Sequence, residues 1–426
     1  MEYKNLIAAI FLKNGVVVKG PENMERAGDW KELAKVYNDS GVDKLYVFDL
    51  ADTEKEHDIN LHTLKELCRV IEIPIYGLGY IHQLEDIKKI LYSGCKGVIL
   101  DGSEHDVIQL AREGSRRFGR EKMLISMENV DLIFKHKKEV EELVHKLVVL
   151  NDEIVSALEN IVNIPFSVIV PGYDKNRWIK ILKKDCVTGI GGAYLSDPQT
   201  DVMNLKMFLA KEGVETRKFK SAMMWSDFKL NDDGMIPVIV QDYQTCEVLM
   251  LAYMNEQAYN TTLALGKMTY YSRSRNKLWI KGETSGHYQY VKSLTIDCDR
   301  DTILARVSQV GAACHTGNPT CFFQELVKKE YSSKTPFNVF ENVYSTIADR
   351  KQHPREGSYT NYLFDKGLDK ILKKIGEEAT EIVIAAKNSQ TEDIKYEISD
   401  FLYHLIVLMV ETGVTWEDIV EELNRR

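Results

Sequence analysis

The chain has 426 residues, of which 44% are hydrophobic and 28% charged, with a formal net charge of -9, and this composition is typical of a globular protein with about three domains of ~100–200 residues. The negative net charge argues against a nucleic-acid partner, and the lack of any apolar run of about 18 residues argues against a membrane span. The seven cysteines, an odd number in a chain that does not start with a secretory signal, argue against a disulfide-bonded secreted protein and favour reduced thiols in the cytoplasm.

Residues 1–220 alternate short apolar runs with amphipathic stretches, a pattern that predicts parallel strands connected by helices. Helices are expected, for example, over Trp30–Ser40, Ile81–Ser93 and Lys175–Lys183. Eight candidate strands predict a (β/α)8 barrel near the lower end of the size range of this fold. These strands are Leu6–Leu12, Leu45–Asp49, Ile73–Gly77, Gly97–Leu100, Leu124–Met127, Leu147–Leu150, Phe166–Val170 and Gly189–Tyr194.

Three segments of this half, Lys13–Gly20, Gly28–Ala34 and Tyr46–Leu50, carry a family resemblance. They are similar to segments of the barrels of histidine biosynthesis, in particular the cyclase subunit of imidazole glycerol phosphate synthase. The resemblance implies a barrel with catalytic acids and glycine-rich phosphate loops at the ends of its strands.

The residues of this half depart from that family where the chemistry would take place. Phe11 stands where the family has an acid at the end of the first strand, and a phenyl ring cannot transfer a proton. Glu128 aligns with the second catalytic acid, and Gly77–Tyr80 puts a bulky ring into a phosphate loop. Only Gly189–Gly192 keeps a glycine-rich turn. We therefore expect a barrel that has lost cyclase activity, and its role as scaffold, dimer platform or ligand-sensing module stays open. The alternative is a barrel that keeps a residual cyclase role.

Residues 221–330 follow the polar connection Arg217–Ser226 and are typical of a small antiparallel α+β domain. Asp227–Gly234 predicts a strand and a tight turn, and Asn255–Leu265 predicts a helix. Further strands are expected over Pro237–Asp242, Val248–Tyr253, Met268–Arg273, Leu278–Lys281, Gln289–Asp301 and Ile303–Gln309. A domain of this size would bury its core better as a dimer.

One part of this domain combines carboxylates with thiols. The residues are Asp297, Asp299, Asp301, Cys298, Cys314 and Cys321. On a strand the three aspartates would share one face, where they repel one another unless a cation such as Mg2+ lies among them. Cys298 would point to the other face and join the other two thiols, a set that suits Zn2+ with one open position. The alternative is an acidic strand beside three buried thiols, but the concentration of cysteines favours a metal site.

The segments Val248–Asn255, Tyr271–Arg275 and Leu278–His287 extend this pattern. Together with the cysteine stretch they resemble the phosphoribosyl-AMP cyclohydrolases of histidine biosynthesis. The resemblance implies a homodimer whose zinc site takes Cys298 from one chain and the other two cysteines from its partner. It also implies that zinc-activated water attacks C6 of the adenine ring, after which the N1–C6 bond opens.

Ring opening needs a proton at N1, and two histidines lie near the expected zinc ligands. His315 directly follows one ligand, and His287 ends a matching segment. The choice between them stays open, and a lone histidine is otherwise a core or surface residue. Arg273, Arg275 and Lys281 are candidate phosphate donors, although an exposed hairpin with alternating arginines is the ordinary alternative. The aspartate-bound Mg2+ would hold the substrate phosphate or orient its ring.

Residues 337–426 are typical of an all-α helical bundle, because apolar residues recur at three- and four-residue spacing. The expected helices are Asn338–Arg350, Gly367–Asn388, Thr391–Thr412 and Thr415–Arg426, with a further helix start at Ser358–Thr360.

Two acidic groups lie on neighbouring helices of this bundle. They are Glu377, Glu378 and Glu381 on one helix and Glu397 and Asp400 on the next. Their spacing places carboxylates on one helical face, and they interrupt apolar stretches, so they would face the bundle interior. Buried carboxylates are costly without partners, which favours Mg2+ over a solvated acidic face paired with lysines.

A second resemblance is carried by Ser358–Thr360, Lys374–Glu381, Ala385–Lys387 and Glu397–His404. These segments resemble phosphoribosyl-ATP pyrophosphatase. The resemblance implies that Mg2+ on the carboxylates, with Glu378 and Glu381 as catalytic groups, activates a water for attack on a triphosphate and releases pyrophosphate. Lys387 is a candidate substrate contact, and Arg350 and Lys370 are further candidates.

The sequence therefore predicts a bifunctional hydrolase of histidine biosynthesis that acts on small phosphoribosyl nucleotides with Zn2+ and Mg2+. The C-terminal domain would cleave phosphoribosyl-ATP to phosphoribosyl-AMP and pyrophosphate, and the middle domain would open the adenine ring of that product. The rival hypothesis is a zinc-stabilised structural or regulatory protein with inactive sites. Complete ligand sets in both later domains, in contrast to the barrel with its Phe11, favour the enzyme.

Overall fold

The computed structural model describes residues 3–327, 336–387 and 391–424, and the chain divides into two compact units, Met1–Gln324 and Glu325–Arg426. The first unit contains a parallel barrel followed by an α+β domain, and the second is helical. The predicted fold class is confirmed. The helix ends expected at Asn388 and Arg426, and the domain end expected at 330, lie outside the described residues. None of the helices within the described ranges is long and apolar enough to cross a membrane.

Eight parallel strands close into the predicted barrel. The strands of this part of the chain are β1 (Asn5–Lys13), β2 (Val16–Gly20), β3 (Asn23–Gly28), β4 (Lys44–Asp49), β5 (Ile75–Leu78), β6 (Gly97–Asp101), β7 (Met123–Met127), β8 (Lys146–Val149), β9 (Phe166–Val170) and β10 (Val187–Gly192). The barrel consists of β1 and β4–β10, and it is closed because β10 pairs with β1 in parallel, with Leu6 opposite Ile190. All eight predicted barrel strands are present, but the strand expected over Gly189–Tyr194 ends at Gly192, after which the chain forms a short helix.

The β2–β3 hairpin, which extends from β1, does not follow from the strand pattern described above. The preceding turn, Asn14-Gly15, joins β1 to β2 in an antiparallel hairpin, and both of its residues have positive φ angles, of 50° and 74°. Asn-Gly is a preferred pair for a two-residue hairpin turn, because both positions need φ above zero. This dipeptide, between the apolar run Leu6–Leu12 and the valines of β2, is the signal that identifies the β1–β2 hairpin.

Helices connect the barrel strands and cover their outer surface. They are α1 (Trp30–Asp39), α2 (Glu54–Val70), α3 (Leu84–Tyr92), α4 (Val107–Phe118), α5 (Asp131–Leu143), α6 (Val155–Ile161), α7 (Lys175–Leu182), α8 (Ala193–Ser196) and α9 (Val202–Lys211). Alternate strand residues pack outward against these helices, whereas Ile7, Tyr46, Ile99 and Val148 belong to a separate apolar cluster inside the barrel. The hydroxyl of Tyr46 lies 2.9 Å from Ser167 Oγ, so this buried polar group is paired.

The α+β domain is built on a mixed sheet. Its elements are β11 (Ile236–Asp242), β12 (Val248–Met254), α10 (Glu256–Leu265), β13 (Thr269–Ser272), β14 (Lys277–Ile280), β15 (Gln289–Ile296) and β16 (Ile303–Gln309). The main sheet has the order β12-β11-β16-β15, and its pairs are antiparallel as predicted except β11–β16, which is parallel. No strand forms over the described residues Asp227–Leu230, although the tight turn is present, with Gly234 N donating to Asn231 O at 2.9 Å.

The second unit is the predicted helical bundle. Its helices are α11 (Pro336–Gln352), α12 (Tyr359–Lys366), α13 (Leu368–Lys387), α14 (Thr391–Thr412) and α15 (Trp416–Asn424). Ser358 caps α12 and accepts from Asn361 N, so the helix start predicted at Ser358 is confirmed. Ile347, Leu363, Ile371 and other apolar residues of the helices form one buried cluster.

The four cysteines outside the metal stretch are expected in the core and have different environments. Cys95 is buried, Cys68 and Cys186 are half-buried, and Cys246 is exposed. The Sγ atoms of Cys68 and Cys95 lie 3.8 Å apart. The expectation is wrong for Cys246, because this residue stands in the turn between β11 and β12 with a φ of 59°.

Candidate active sites

The three aspartates of the α+β domain lie in the acidic turn, the connection Asp297–Thr302 between β15 and β16. Carboxylate oxygens of Asp297, Asp299 and Asp301 all lie within 4.8 Å of one another. The expected strand over Gln289–Asp301 is wrong in its last part, because β15 ends before the aspartates and the next residues form a turn. Curvature of the turn, rather than alternation along a strand, therefore brings the carboxylates together.

Backbone amides hold Asp297 in the acidic turn. Asp301 N and Thr302 N donate to its Oδ1 at 3.0 and 3.2 Å. Desolvation is the largest influence on the pKa of Asp297 and raises it, but these amide donors together with Arg300 N lower the pKa below its ordinary value. The Nζ atom of Lys229 lies 3.7 Å from Asp299. The turn thus presents close, ionised oxygens of the kind that Mg2+ prefers.

Two of the three predicted zinc ligands meet in the thiol loop, Gly311–Cys321. Cys314 is buried, and its Sγ lies 3.0 Å from Thr316 Oγ1. Hydrogen bonds from the Thr316 hydroxyl and amide lower the pKa of Cys314, which favours the thiolate. Cys321 adjoins Cys314 and is largely exposed. The pKa of Cys321 is nevertheless raised, by desolvation of its thiol and by the neighbouring sulfur of Cys314. The pair offers one ready thiolate and a second thiol that a cation would deprotonate.

Lys281 lies beside these thiols and not on the exposed hairpin. The residue is 5% exposed, and its Nζ donates to His287 O at 3.3 Å. Burial lowers the pKa of Lys281, while the negative charges of Cys321 and Cys314 oppose that shift. Lys281 is therefore a buried cation of the thiol site.

Cys298, the third predicted ligand, is exposed in the acidic turn. Among the described residues, the groups of three or more potential metal ligands within 4.8 Å consist of carboxylates alone, so Cys298 does not join the other two thiols within one chain. A single chain therefore presents an incomplete thiol set.

The two predicted histidines both belong to the surroundings of the thiol loop. His287 Nδ1 lies 3.1 Å from Ala312 O. Because a carbonyl oxygen only accepts, Nδ1 carries the proton and donates it to this hydrogen bond. Gly311, with a φ of 61°, packs directly on the His287 ring, and a Cβ there would lie 2.7 Å from Cδ2. His315 is exposed on the loop next to Cys314. His287 is thus fixed, whereas His315 faces solvent.

The predicted arginines follow β13. Arg273 and Arg275 are both exposed in the turn between β13 and β14. The guanidinium of Arg273 lies 4.0 Å from the ring centroid of Tyr253, a cation–π contact that orients it.

In the helical unit, three of the five predicted carboxylates come together. Ligand oxygens of Glu378, Glu381 and Glu397 lie within 4.8 Å of one another, and Glu378 is 4% exposed. Desolvation, followed by the charges of Glu381 and Glu378, raises the pKa of Glu397. A divalent cation among these oxygens would remove this repulsion.

The other two predicted carboxylates lie at the margin of this cluster. Glu377 forms ion pairs with Lys373 at 3.5 Å and with Lys374 at 3.0 Å, and Lys374 lowers its pKa. Asp400 is near enough to Glu397 to contribute to its raised pKa. The expectation that the whole acidic set faces the interior therefore holds for Glu378 but not for Glu381, which is exposed.

A buried histidine that sequence reasoning missed completes this site. His404 Nδ1 donates to Asp400 O at 2.8 Å and lies 3.7 Å from Glu378 Oε1. Its Nε2 accepts from the hydroxyl of Tyr359 at 3.0 Å. The available signal is the four-residue spacing from Asp400 to His404, which places both on one side of α14.

The predicted phosphate contacts of this unit lie on its surface. Lys387 is exposed at the end of α13, and Lys370 is half-buried in its first turn. Arg350 pairs with Asp349 at 3.6 Å.

Aromatic side chains occupy the C-terminal ends of the barrel strands. The pairs are Phe11 with Phe48 at 4.8 Å, His57 with Tyr80 at 4.8 Å and Tyr173 with Tyr194 at 4.2 Å between ring centroids. Glu128 lines a cleft of about 160 Å³ there together with Asp101 and Ser103. Two carboxylates in one small cleft disfavour a phosphate group.

The glycine-rich turn of the barrel has a packing explanation. A Cβ at Gly189 would lie 2.6 Å from Asn5 O, and one at Gly192, where φ is 143°, would lie 2.0 Å from Val170 O. Close approach of neighbouring strands therefore requires glycine here without any ligand.

Comparisons with known proteins match each part of the chain. Residues 250–323 match the family model of phosphoribosyl-AMP cyclohydrolase, and residues 340–426 match that of phosphoribosyl-ATP pyrophosphohydrolase. Residues 5–157 match the model described as histidine biosynthesis protein.

Curated relatives named histidine biosynthesis bifunctional protein HisIE are similar to under half of the chain. The relative from Thermoanaerobacter pseudethanolicus is 55% identical over 209 residues, which cover 46% of this chain and 97% of the relative. The relative from Bacillus subtilis is 46% identical over 200 residues, with 47% and 95% covered. The relative from Thermus thermophilus is 46% identical over 201 residues, with 47% and 92% covered.

Proposed function

Because the chain belongs to the family of bifunctional histidine biosynthesis proteins named HisIE, we propose that each of its ligand clusters serves one of two reactions. The α+β domain is a phosphoribosyl-AMP cyclohydrolase domain, and the helical unit is a phosphoribosyl-ATP pyrophosphohydrolase domain. The chain is an enzyme with both hydrolase activities. One observation carries the proposal: the acidic turn and thiol loop lie within 250–323, and the three-carboxylate cluster lies within 340–426.

For ring opening, we propose that Cys314 and Cys321 bind Zn2+ together with Cys298 of a partner subunit. The incomplete thiol set of one chain supports a shared site. A second support is the apolar surface near the thiol loop that the exposed side chains of Leu251, Phe322 and Phe323 offer to a second copy. Zinc held in this way supplies activated water at neutral pH.

The chain's own groups then bind the nucleotide and supply a proton. Arg273 and Arg275 hold the phosphate of phosphoribosyl-AMP, because guanidinium forks match phosphate oxygens. Lys281 balances the charge of the thiolates from its buried position. His315 or the fixed His287 delivers the proton to N1 as the N1–C6 bond breaks. Asp297, Asp299 and Asp301 would hold Mg2+, which would bind the substrate phosphate or orient its ring.

For pyrophosphate release, Glu378, Glu381 and Glu397 hold Mg2+, with Asp400 and Glu377 at the margin of the site. The raised pKa of Glu397 supports this assignment, since the cluster carries more negative charge than its surroundings neutralise. His404 orients Glu378 and is itself held by the hydroxyl of Tyr359. Lys387 contacts the phosphates, whose electrostatic clamping would contribute most of the rate.

The barrel takes no catalytic part in this proposal. Phe11 packs against Phe48 where an acid would be needed, and the glycine-rich turn is explained by strand packing. The alternative is a ligand-sensing role, but the two carboxylates of the cleft beside Glu128 disfavour a phosphate ligand there.

The test compares two cysteine variants of the full-length protein. Cys314→Ala should abolish ring opening and leave pyrophosphate release unchanged, because it removes one thiol of the proposed zinc site. Cys246→Ala is the matched control, because this exposed cysteine lies in a turn outside the thiol loop. Ring opening that survives in Cys314→Ala with wild-type zinc content would rule out the proposed ligand set.

A further inference from the structure

The barrel and the cyclohydrolase domain meet through a set of polar side chains that neither proposed reaction uses. We call it the bracing network: Asp39 and Glu72 from the barrel, and Tyr243, Lys292 and Ser308 from the cyclohydrolase domain. All five belong to the first compact unit. None of them is a proposed metal ligand or substrate contact.

Lys292 is the centre of the bracing network. Its Nζ lies 3.1 Å from Asp39 Oδ1 and 2.8 Å from Glu72 Oε2. Ser308 Oγ donates to Asp39 Oδ2 at 2.9 Å, and the Tyr243 hydroxyl donates to Glu72 Oε1 at 2.9 Å. The ammonium group also lies 4.8 Å from the centroid of the Tyr243 ring. Each barrel carboxylate thus binds two groups of the other domain.

Burial makes the central pair of the bracing network different from a surface ion pair. The side chain of Lys292 is 17% exposed and that of Asp39 is 9% exposed, whereas Glu72 is half exposed. A buried charge that loses its partner is strongly unfavourable. Separation of the two domains at this point would leave Lys292 without its carboxylates, so the network favours one fixed arrangement.

The position of the bracing network in the barrel is also informative. Asp39 ends α1 before β4, and Glu72 lies between α2 and β5, so both stand at the N-terminal ends of barrel strands. That end of a (β/α)8 barrel serves stability, whereas active sites form at the opposite end. The cyclohydrolase domain therefore uses the stability face of the barrel.

On the cyclohydrolase side, the network holds the strands that carry the acidic turn. Lys292 is on β15 and Ser308 is on β16, and the turn that joins these strands contains Asp297, Cys298 and Asp299. Asp297 follows Lys292 by five positions, which corresponds to about 17 Å along a strand. The register of β15 on β16 shifts between Val291 and Ser293, and beyond this point the pairs from Ser293–Arg306 to Ile296–Ile303 are continuous up to the acidic turn. A displacement at Lys292 therefore reaches the turn through paired strands.

We propose that the barrel positions the ligand-bearing hairpin of the cyclohydrolase domain through the bracing network. Asp39 and Glu72 are positioning residues for ring opening, although they touch neither substrate nor metal. This inference rests on the proposed function, which makes the acidic turn and Cys298 part of the site. The inference gives the barrel a role that does not involve the C-terminal ends of its strands, where the active sites of this fold form.

The experiment uses the full-length protein with the double variant Asp39→Asn, Glu72→Gln, and the variant Lys292→Met from the other side of the network. Hydrogen–deuterium exchange of peptides within 289–309 should become faster in both variants. Ring-opening kcat should fall on the order of tenfold, because a small misplacement of reacting groups is costly, while pyrophosphate release stays at the wild-type rate. Lys292→Arg, which keeps the charge, should restore most of both signals.

The matched control is Glu85→Gln, which removes another barrel carboxylate whose ion pair with Lys88 is exposed. It should change neither exchange nor ring opening. Wild-type exchange in 289–309 in both network variants would overturn the inference. A wild-type protein without ring-opening activity would instead contradict the proposed function, and the exchange measurement would still decide whether the barrel positions the hairpin.

Discussion

Two neighbouring glutamates of α13 illustrate how position decides the role of a residue. Glu378 is buried and belongs to the three-carboxylate cluster, whereas Glu377 is bound by Lys373 and Lys374 at the margin. Both are acidic and adjacent, so the sequence pattern assigns both to the metal site. The difference arises because successive residues of a helix are rotated by about 100°, so the side chains of neighbouring residues point to different faces.

The glutamate pair gives a matched test at the residue scale. Glu378→Gln should lower pyrophosphate release by about 100-fold, the size expected when one preorganised charged group is removed from an active site. Glu377→Gln should change the rate only a few-fold, because Glu377 lies outside the cluster. Both are followed by steady-state assay with phosphoribosyl-ATP. Equal losses in the two variants would mean that the cluster is not the catalytic centre.

The sequence identifies the residue types of both sites but not their partners. Carboxylates and thiols are visible as motifs, and the structure places many of them together. His404 and Tyr359 were missed because their roles depend on contacts between helices. His404 lies beside Glu378, and Tyr359 donates to His404, and no local sequence pattern reveals such contacts.

At the element scale, turns rather than strands organise the candidate metal ligands of the cyclohydrolase domain. The acidic turn brings three aspartates together, and Arg300 has a φ of 66° within it. The alternation of side chains along a strand predicts that the three carboxylates lie together, which is correct. The predicted cause is wrong, because the carboxylates converge in the turn after the strand has ended. The eight barrel strands, in contrast, follow directly from apolar runs, since each is buried on both sides.

The thiol loop offers an element-scale prediction. Gly311→Ala should lower ring opening about tenfold, because a Cβ would lie 2.7 Å from the His287 ring and displace it. Gly317→Ala is the control: its φ of 90° imposes similar backbone strain, but nothing lies within 4 Å of the added Cβ. Ring opening and thermal unfolding are measured for both. If Gly317→Ala loses as much activity, backbone strain and not His287 is responsible.

At the scale of the whole molecule, the chain joins a barrel to two hydrolase domains. The relatives named HisIE cover under half of it, so the barrel is an addition to what they share with this chain. The order of the three parts was predictable from the change in apolar period along the sequence. The bracing network was not, because Asp39 and Lys292 are far apart in sequence and neither belongs to a motif.

The central proposal is that two separate metal sites, of which the zinc site is shared with a partner subunit, catalyse successive steps. The most direct measurement follows full-length protein with phosphoribosyl-ATP and Mg2+, recording pyrophosphate release and the ultraviolet change of ring opening, with and without Zn2+. We predict both signals with Zn2+, and pyrophosphate release alone after Zn2+ is removed. Loss of both signals on zinc removal, or ring opening that persists without zinc, would contradict the account.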